Sequence, residues 1–323
     1  MPVWFCIFQS KNHNPHINYQ AARTFTSTFG MFSSASKRAV ERHYDAVPQQ
    51  TKRQRLESPT LRLRNANNAV KGKLYDSYGP PVNGLHVEFA CGKGGDLFKV
   101  KKRLGPGGRL VAFDISSECI EEAGRRLREA GTAEMPSCFY FRYSMTSPVL
   151  WRTMDLIMDK DKVVPGTIDS ISCHFALHYA WDTETNAKMV FINAAARLRK
   201  NGLFACTIVD WPTLVRRMTG RKCVANALYS IEMPETSLVP ETDAFVPRPY
   251  TFSLVDAVND CQEYGIPHGQ LCRIANDAGF SVFRKAMLFA DDMLDAKEAT
   301  WRSMTTAEQE VCSLYAAWVF IRR

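Results

Sequence analysis

Hydrophobic and polar positions follow two different periods along most of this chain. Short runs rich in β-branched and aromatic side chains predict strands at residues 85–90 ("LHVEFA"), 109–113 ("RLVAF"), 138–143 ("CFYFRY"), 168–173 ("IDSISC") and 202–209 ("GLFACTIV"). Segments with helical spacing lie between them, at 95–103, 117–130, 148–158 and 184–199. Upstream, "LRLRNANNAVKGKLYDSY" at 61–78 reads as an amphipathic helix, with Leu61, Leu74 and Tyr75 on its apolar side and Lys71 and Lys73 pointing elsewhere. A helix at 268–278 and late strands near 280–289 and 313–321 complete a seven-stranded set. Strands that alternate with helices predict an α/β fold, a doubly wound and mostly parallel sheet with right-handed crossovers. Residues 211–262 lose the rhythm, and Pro234, Pro240, Pro247 and Pro249 puncture them, so this stretch reads as an irregular inserted lobe.

A parallel sheet binds ligands beyond the carboxyl ends of its strands, near the switch in strand order. The first strand-to-helix turn is "ACGKGG", where glycines let a ligand approach the backbone. No Ser or Thr follows Lys93, so this is not the phosphate-cradling GxxxxGK[ST] loop, and it only approximates a dinucleotide fingerprint. The next strand ends in Asp114, placed either to accept from both hydroxyls of a ribose or, with Ser116 and Ser117 behind it, to cap a helix. Glu88 is an acid inside a strand that should be buried, and a cationic ligand would account for it. S-adenosylmethionine carries an ammonium and a sulfonium and no phosphate, so the turn suits it better than a nicotinamide cofactor. Lys93 and Lys99 must then serve a second, anionic ligand.

Composition extends this picture. The 323 residues carry a net charge of +8, which fits an anionic partner as well as simple solubility. The length suits one large domain, and no apolar run is long enough to span a membrane. Ten cysteines contain no CxxC pair, and the HxxxH of His174 and His178 has no further ligands near it, so no metal site is expected. Cys173 and Cys206 sit inside apolar runs, as buried thiols of a reducing compartment do. Residues 1–42 form a basic N-terminal arm; its first 40 residues lack Asp and Glu, so a disordered arm and an organelle transit peptide both fit, and Met31 is an alternative start. "TKRQR" at 51–55 reads as a solvated basic segment or a weak nuclear-import patch.

Several stretches together are similar to the messenger-RNA cap guanine-N7 methyltransferase family: "LRNANNAVKGKL", "VEFACGKGGDLFKVKK", "FDISSECIEEAGRRL", "HFALHYAW" and "TTAEQEVCSLYAAWVF". The resemblance runs in order from about residue 43 to the end, and the pairing of LRNxNNxxK with CGKGGDLxK is its most specific part. It implies a Rossmann-like class I methyltransferase fold over 43–323 and S-adenosyl-L-methionine as cofactor. For the cofactor it implies Lys71, Glu88, Ala90, Cys91, Gly92, Asp114, Ser144, Met145, His174 and Tyr179. For the cap it implies Asn67, Asn68, Lys93, Lys99, Arg126, His178, Glu263 and Tyr315. The family usually has Asp at Glu88, Gly at Ala90, an Asp near Met145 and Gln at His174, and these are departures.

The implied reaction is methyl transfer to N7 of the 5′ guanosine cap. Guanine N7 carries an in-plane lone pair and no proton, so no catalytic acid or base is needed, and Glu263, His178 and Tyr315 serve position and electrostatics. From the residues alone, Lys99 and Arg126 also fit exposed helix positions, His178 a satisfied core histidine and Tyr315 plain core packing. A non-catalytic cap- or RNA-binding protein and a methyltransferase for another RNA substrate are the alternatives. Expected partners are 5′-capped RNA and, because no KxDG nucleophile is present, a separate capping guanylyltransferase or triphosphatase. DNA and membrane are not expected, the chain is expected to be a monomer, and the family implies the nucleus, with cytoplasm or an organelle as alternatives.

Overall fold

The computed structural model describes residues 6–9, 35–46, 50–131, 134–291 and 299–323. The strands are β1 (Cys6–Gln9), β2 (Leu85–Phe89), β3 (Arg109–Asp114), β4 (Ser137–Arg142), β5 (Ile168–His174), β6 (Leu198–Val209), β7 (Cys223–Ala225), β8 (Tyr229–Glu232), β9 (Pro249–Leu254), β10 (Val258–Tyr264), β11 (Phe280–Leu288) and β12 (Tyr315–Arg322). The helices used below are α1 (Ala35–Ala46), α2 (Lys52–Glu57), α3 (Leu61–Tyr78), α4 (Leu97–Leu104), α5 (Ser117–Glu129), α6 (Leu150–Met158), α7 (Glu184–Arg197), α8 (Trp211–Met218) and α9 (His268–Asp277).

The main sheet has the order β1-β4-β3-β2-β5-β6-β12-β11. Strands β4, β3, β2, β5 and β6 run parallel, while β12, β11 and the edge strand β1 are antiparallel to their neighbours. The seven expected strands are present, and β1 adds an eighth from within the N-terminal 42 residues; α1 crosses the boundary drawn at 42. The order reverses between β2 and β5, which opens a crevice at the carboxyl ends of these two strands. β2 is buried at every position, as a central parallel strand covered on both faces should be.

Three expectations need correction. Strand β6 starts at Leu198, four residues before the apolar run that announced it at 202, because Leu198 already pairs with Ile168 and the exposed "RKN" forms an irregularity before pairing resumes at Leu203. Leu61 is only half-buried; Leu63, Ala66, Val70, Leu74 and Tyr75 form the core stripe of α3, and Lys71 is half-buried towards the crevice. The lobe is regular. After α8, strands β7 to β10 form an antiparallel sheet of their own in the order β10-β9-β8-β7. Tyr250, Phe252 and Leu254 alternate inward along β9 with the period of two that a half-buried strand demands. The prolines sit where a ladder tolerates them: Pro249 is the first residue of β9, and Pro234 caps a short 3-10 turn. This lobe shares a hydrophobic core with α3, α8 and the start of β12, which seats it beside the crevice.

Candidate functional site

The carboxyl ends of β2, β3 and β5 face a cavity of about 410 Å³. Twelve residues singled out from sequence line it: Lys71, Glu88, Ala90, Cys91, Gly92, Lys93, Asp114, Arg126, Ser144, Met145, His174 and Tyr179. The turn after β2 explains the glycines. Gly92 has φ +51°, and a Cβ on it would meet nothing within 4 Å, so the turn presents bare backbone to the cavity. Gly94, with φ +66°, lies so close to α5 that an added Cβ would stand 3.0 Å from the Ala123 Cβ. Ala90 takes φ +54°, a left-handed conformation that costs a non-glycine residue. That backbone angle accounts for the glycine the family places there.

Glu88 stands at the cavity wall, 3% exposed, and its Oε2 has no hydrogen-bond partner among the described residues. Burial pushes its carboxyl up to about 8, the Asp96 charge adds to this, and Lys71 and Lys99 oppose it. Asp96 is the residue sequence reasoning passed over. It starts α4 and is buried; Lys71 Nζ donates to it at 2.7 Å and Lys99 Nζ at 2.8 Å. Burial raises the Asp96 carboxyl, but Lys71, His174 once low pH protonates it, and Lys99 together outweigh burial and hold it below the usual carboxylate range. One carboxylate thus fixes the lysine assigned to the cofactor and a lysine assigned to the cap. Lys99 Nζ also donates to Asn68 Oδ1 at 2.9 Å, while Asn67 Oδ1 is buried without a partner among the described residues.

Asp114 joins the ends of two strands. Its Oδ2 accepts from the Gly92 amide at 2.8 Å and its Oδ1 from the Ser116 amide at 2.9 Å. The cap of α5 is Ser116, whose hydroxyl accepts from the Cys119 amide, so Asp114 does not fill that role. Burial pushes the Asp114 carboxyl up to about 6 against the pull of these amides. His174 is held down at about 3, chiefly by burial, and is neutral; its Nδ1 lies 3.4 Å from Thr207 Oγ1. Ser144 Oγ meets Thr146 Oγ1 at 2.9 Å. The Met145 carbonyl accepts from Asn193 Nδ2 at 2.8 Å, and its sulfur packs 3.8 Å from Cys173 Sγ.

Glu263, on β10 of the lobe, is buried and does not line the cavity; it touches Tyr179, which does. Glu263 Oε2 accepts from the Tyr250 hydroxyl at 2.7 Å, and its Oε1 accepts from the Tyr179 hydroxyl at 3.4 Å. His178 Nε2 is also 3.4 Å from Oε1, but neither ring nitrogen of His178 has a hydrogen-bond partner among the described residues. Tyr44 of α1 closes this corner, its hydroxyl 2.9 Å from that of Tyr179. Tyr315 is buried and does not line the cavity; it packs edge-on against Phe175, 4.9 Å between centroids, and Phe175 does line it. Arg126 lines the opposite rim with its Nε 2.8 Å from Glu122 Oε1, and Lys93 lies on the glycine turn beside it. Gln50, Arg55 and Arg64 also line the cavity; Arg55 ends the "TKRQR" segment and Arg64 stands in LRNxNNxxK, but a basic segment by itself reads as solvated and the roles implied for that motif fall on Asn67, Asn68 and Lys71.

The parallel core, the glycine turn at the switch point and the acid after the second strand define a Rossmann-like class I methyltransferase fold. Among solved structures, a putative S-adenosylmethionine-dependent methyltransferase from Listeria monocytogenes shares this fold at a TM-score of 0.51 and 13% identity, covering 81% of this chain and 99% of that one. A geranyl diphosphate C-methyltransferase from Streptomyces coelicolor A3(2) gives 0.50 at 12% identity, with 90% and 97% covered. Residues 31–309 match the family described as mRNA (guanine-N(7))-methyltransferase domain, and the chain belongs to this family. It is 32% identical over 237 residues to mRNA cap guanine-N(7) methyltransferase 1 of Oryza sativa subsp. japonica, covering 72% of this chain and 62% of that protein. To the protein of the same name in Arabidopsis thaliana it is 30% identical over 247 residues, covering 74% and 64%. The chain therefore spans somewhat under two thirds of the length of these relatives.

Proposed function

We propose that the protein binds S-adenosylmethionine and methylates N7 of the guanosine cap of RNA. The observation that carries this reading is the division of one cavity. Its lining holds both a buried carboxyl group with an unpartnered oxygen, Glu88, and the cations Lys93 and Arg126. An unpaired buried carboxylate seeks a cation, and a basic rim seeks phosphate. Glu88 suits the ammonium of the methionine moiety, Lys71 its carboxylate and Asp114 the ribose, over the bare backbone at Gly92.

When bound, adenosylmethionine supplies an electrophilic methyl carbon. The protein's part is alignment, worth about 7–11 kcal/mol at best. No residue has to accept a proton from N7, and His174, held down at about 3, is neutral and too weak a base to take one. The methylated base is cationic, and the Glu263 carboxylate, aimed by Tyr250 and Tyr179, favours that charge. Lys93, Lys99 and Arg126 take the triphosphate bridge.

A second reading, a cap-binding protein without turnover, draws on Met145, a thioether where an acid would receive the adenine amine, packed against Cys173. One assay separates the two. Purified protein is incubated with labelled adenosylmethionine and GpppN-ended RNA, and the digested cap is analysed for 7-methylguanosine. Label in the cap and none in uncapped RNA is expected. An unmodified cap with measurable cap binding refutes methyl transfer in favour of the second reading.

A further inference from the structure

Two arginines at the cavity edge are unused by methyl transfer, and the side chain of one of them, Arg55, makes no hydrogen bond or ion pair among the described residues. Arg64 of α3 donates to the Arg55 carbonyl and, at 3.3 Å, to Gln50 Oε1, so it ties α2 to α3. Helix α2 is further fixed by a capping box between Thr51 and Gln54. This frame holds the Arg55 side chain at the cavity edge, where its guanidinium makes no hydrogen bond or ion pair among the described residues. The cations nearest in effect are Arg126 and Arg64, and the facing acid is Glu122. Glu122 is already shared between Arg125 at 2.7 Å and Arg126 at 2.8 Å. Asp256, the other acid on this rim, accepts from the Ser58 hydroxyl at 2.6 Å. Partial desolvation at the cavity edge and the two like charges lower the pKa of the otherwise exposed Arg55, as expected of a cation placed among cations. Lys93 and Arg126 are half-buried, while Arg55, close enough to Arg126 to feel its charge, is exposed.

A triphosphate held by Lys93 and Arg126 would leave the cavity along this line. We infer that Arg55, framed by Arg64, binds the first phosphodiesters of the transcript beyond the triphosphate bridge, making the site selective for a capped chain over a cap dinucleotide. The contact is to backbone charge, so it carries no base preference. The inference rests on the cap-methylation reading above.

The test compares wild type, Arg55→Ala and Arg55→Lys on the GpppG dinucleotide and on a GpppG-capped RNA long enough to reach the rim, on the order of 20 nucleotides. Arg55→Ala should lower kcat/KM about tenfold on the capped RNA and leave the dinucleotide unchanged, and its slope of log kcat/KM against log salt should be shallower by about 0.7. Arg55→Lys should recover most of the loss. Equal loss on both substrates, or none on either, overturns the inference. If wild type methylates neither substrate, the methyl-transfer reading is what has failed. Fluorescence anisotropy with the same two ligands then decides Arg55: weaker binding of the capped RNA alone supports it, and unchanged binding refutes it.

Discussion

Cofactor binding should release a proton, and Glu88 sets how many. Its carboxyl is pushed up to about 8, first by burial and then by Asp96. At pH 6.5 it is therefore almost fully protonated before a ligand enters. A cationic ammonium seated against Oε2 requires the ionised form, so close to one proton leaves for each cofactor bound. Ionising the group at pH 6.5 costs about 2 kcal/mol, from roughly 1.5 pH units at 1.36 kcal/mol each. Affinity should accordingly rise close to tenfold per pH unit up to about neutrality. Calorimetry of adenosylmethionine at pH 6.5 in phosphate and in Tris measures the proton directly, because the two buffers take it up with different heats. Glu88→Gln should abolish the buffer dependence and weaken binding by about 1.5–3 kcal/mol, a charge-assisted hydrogen bond. The sign for stability follows from the same shift. The folded state keeps a proton that the unfolded state loses above its ordinary 4.5, so the ligand-free protein loses stability as pH rises from there to about 8. Glu88→Gln should flatten that decline. Equal heats in both buffers, with tight binding intact, would refute the placement of the ammonium on Glu88.

Other outcomes can be checked separately. Ala90→Gly removes a left-handed alanine, worth about 1–2 kcal/mol, against about 0.5–1 kcal/mol of extra unfolded-state entropy; thermal melts should rise by up to roughly 3 °C, and a lower Tm contradicts the strain. Asp96→Asn leaves Lys71 and Lys99 without their shared counter-charge and should cost about 3–5 kcal/mol in urea titrations, with KM raised for cofactor and capped RNA together. Because Asp96 is held below the usual range, its stabilisation is present above the unfolded carboxylate range and is lost as pH falls through the folded value. Glu263→Gln keeps the Tyr250 contact but removes charge, so kcat should fall by about a hundredfold with KM for the cofactor unchanged; a kcat equal to wild type would remove Glu263 from the reaction.

The residue pattern by itself determined seven of the eight strands of the main sheet, all but β1, and the bounds of α3, which matched at both ends. It also determined the glycine turn and the acid that follows it, because periodicity and turn chemistry are local properties. The motifs likewise located Lys71, Glu88, Lys93 and Asp114, all of which line one cavity. Other features depended on groups far apart in sequence. The lobe became a sheet because Tyr250, Phe252 and Leu254 found a shared core with α3 and α8, a packing that proline content alone could not foretell. Asp96 acquired its role only when α3 delivered Lys71 from 25 residues away. Tyr44 and Tyr179 meet across 135 residues, and Arg55 joins the cavity edge through α2, where the "TKRQR" segment gave no sign of a helix. Ala90 looked like a simple departure from glycine until the backbone gave it φ +54°. Local spacing fixes which chemistry is present, whereas burial and counter-charge, which set how each group is charged and what it can hold, arise only when distant segments close around the same cavity.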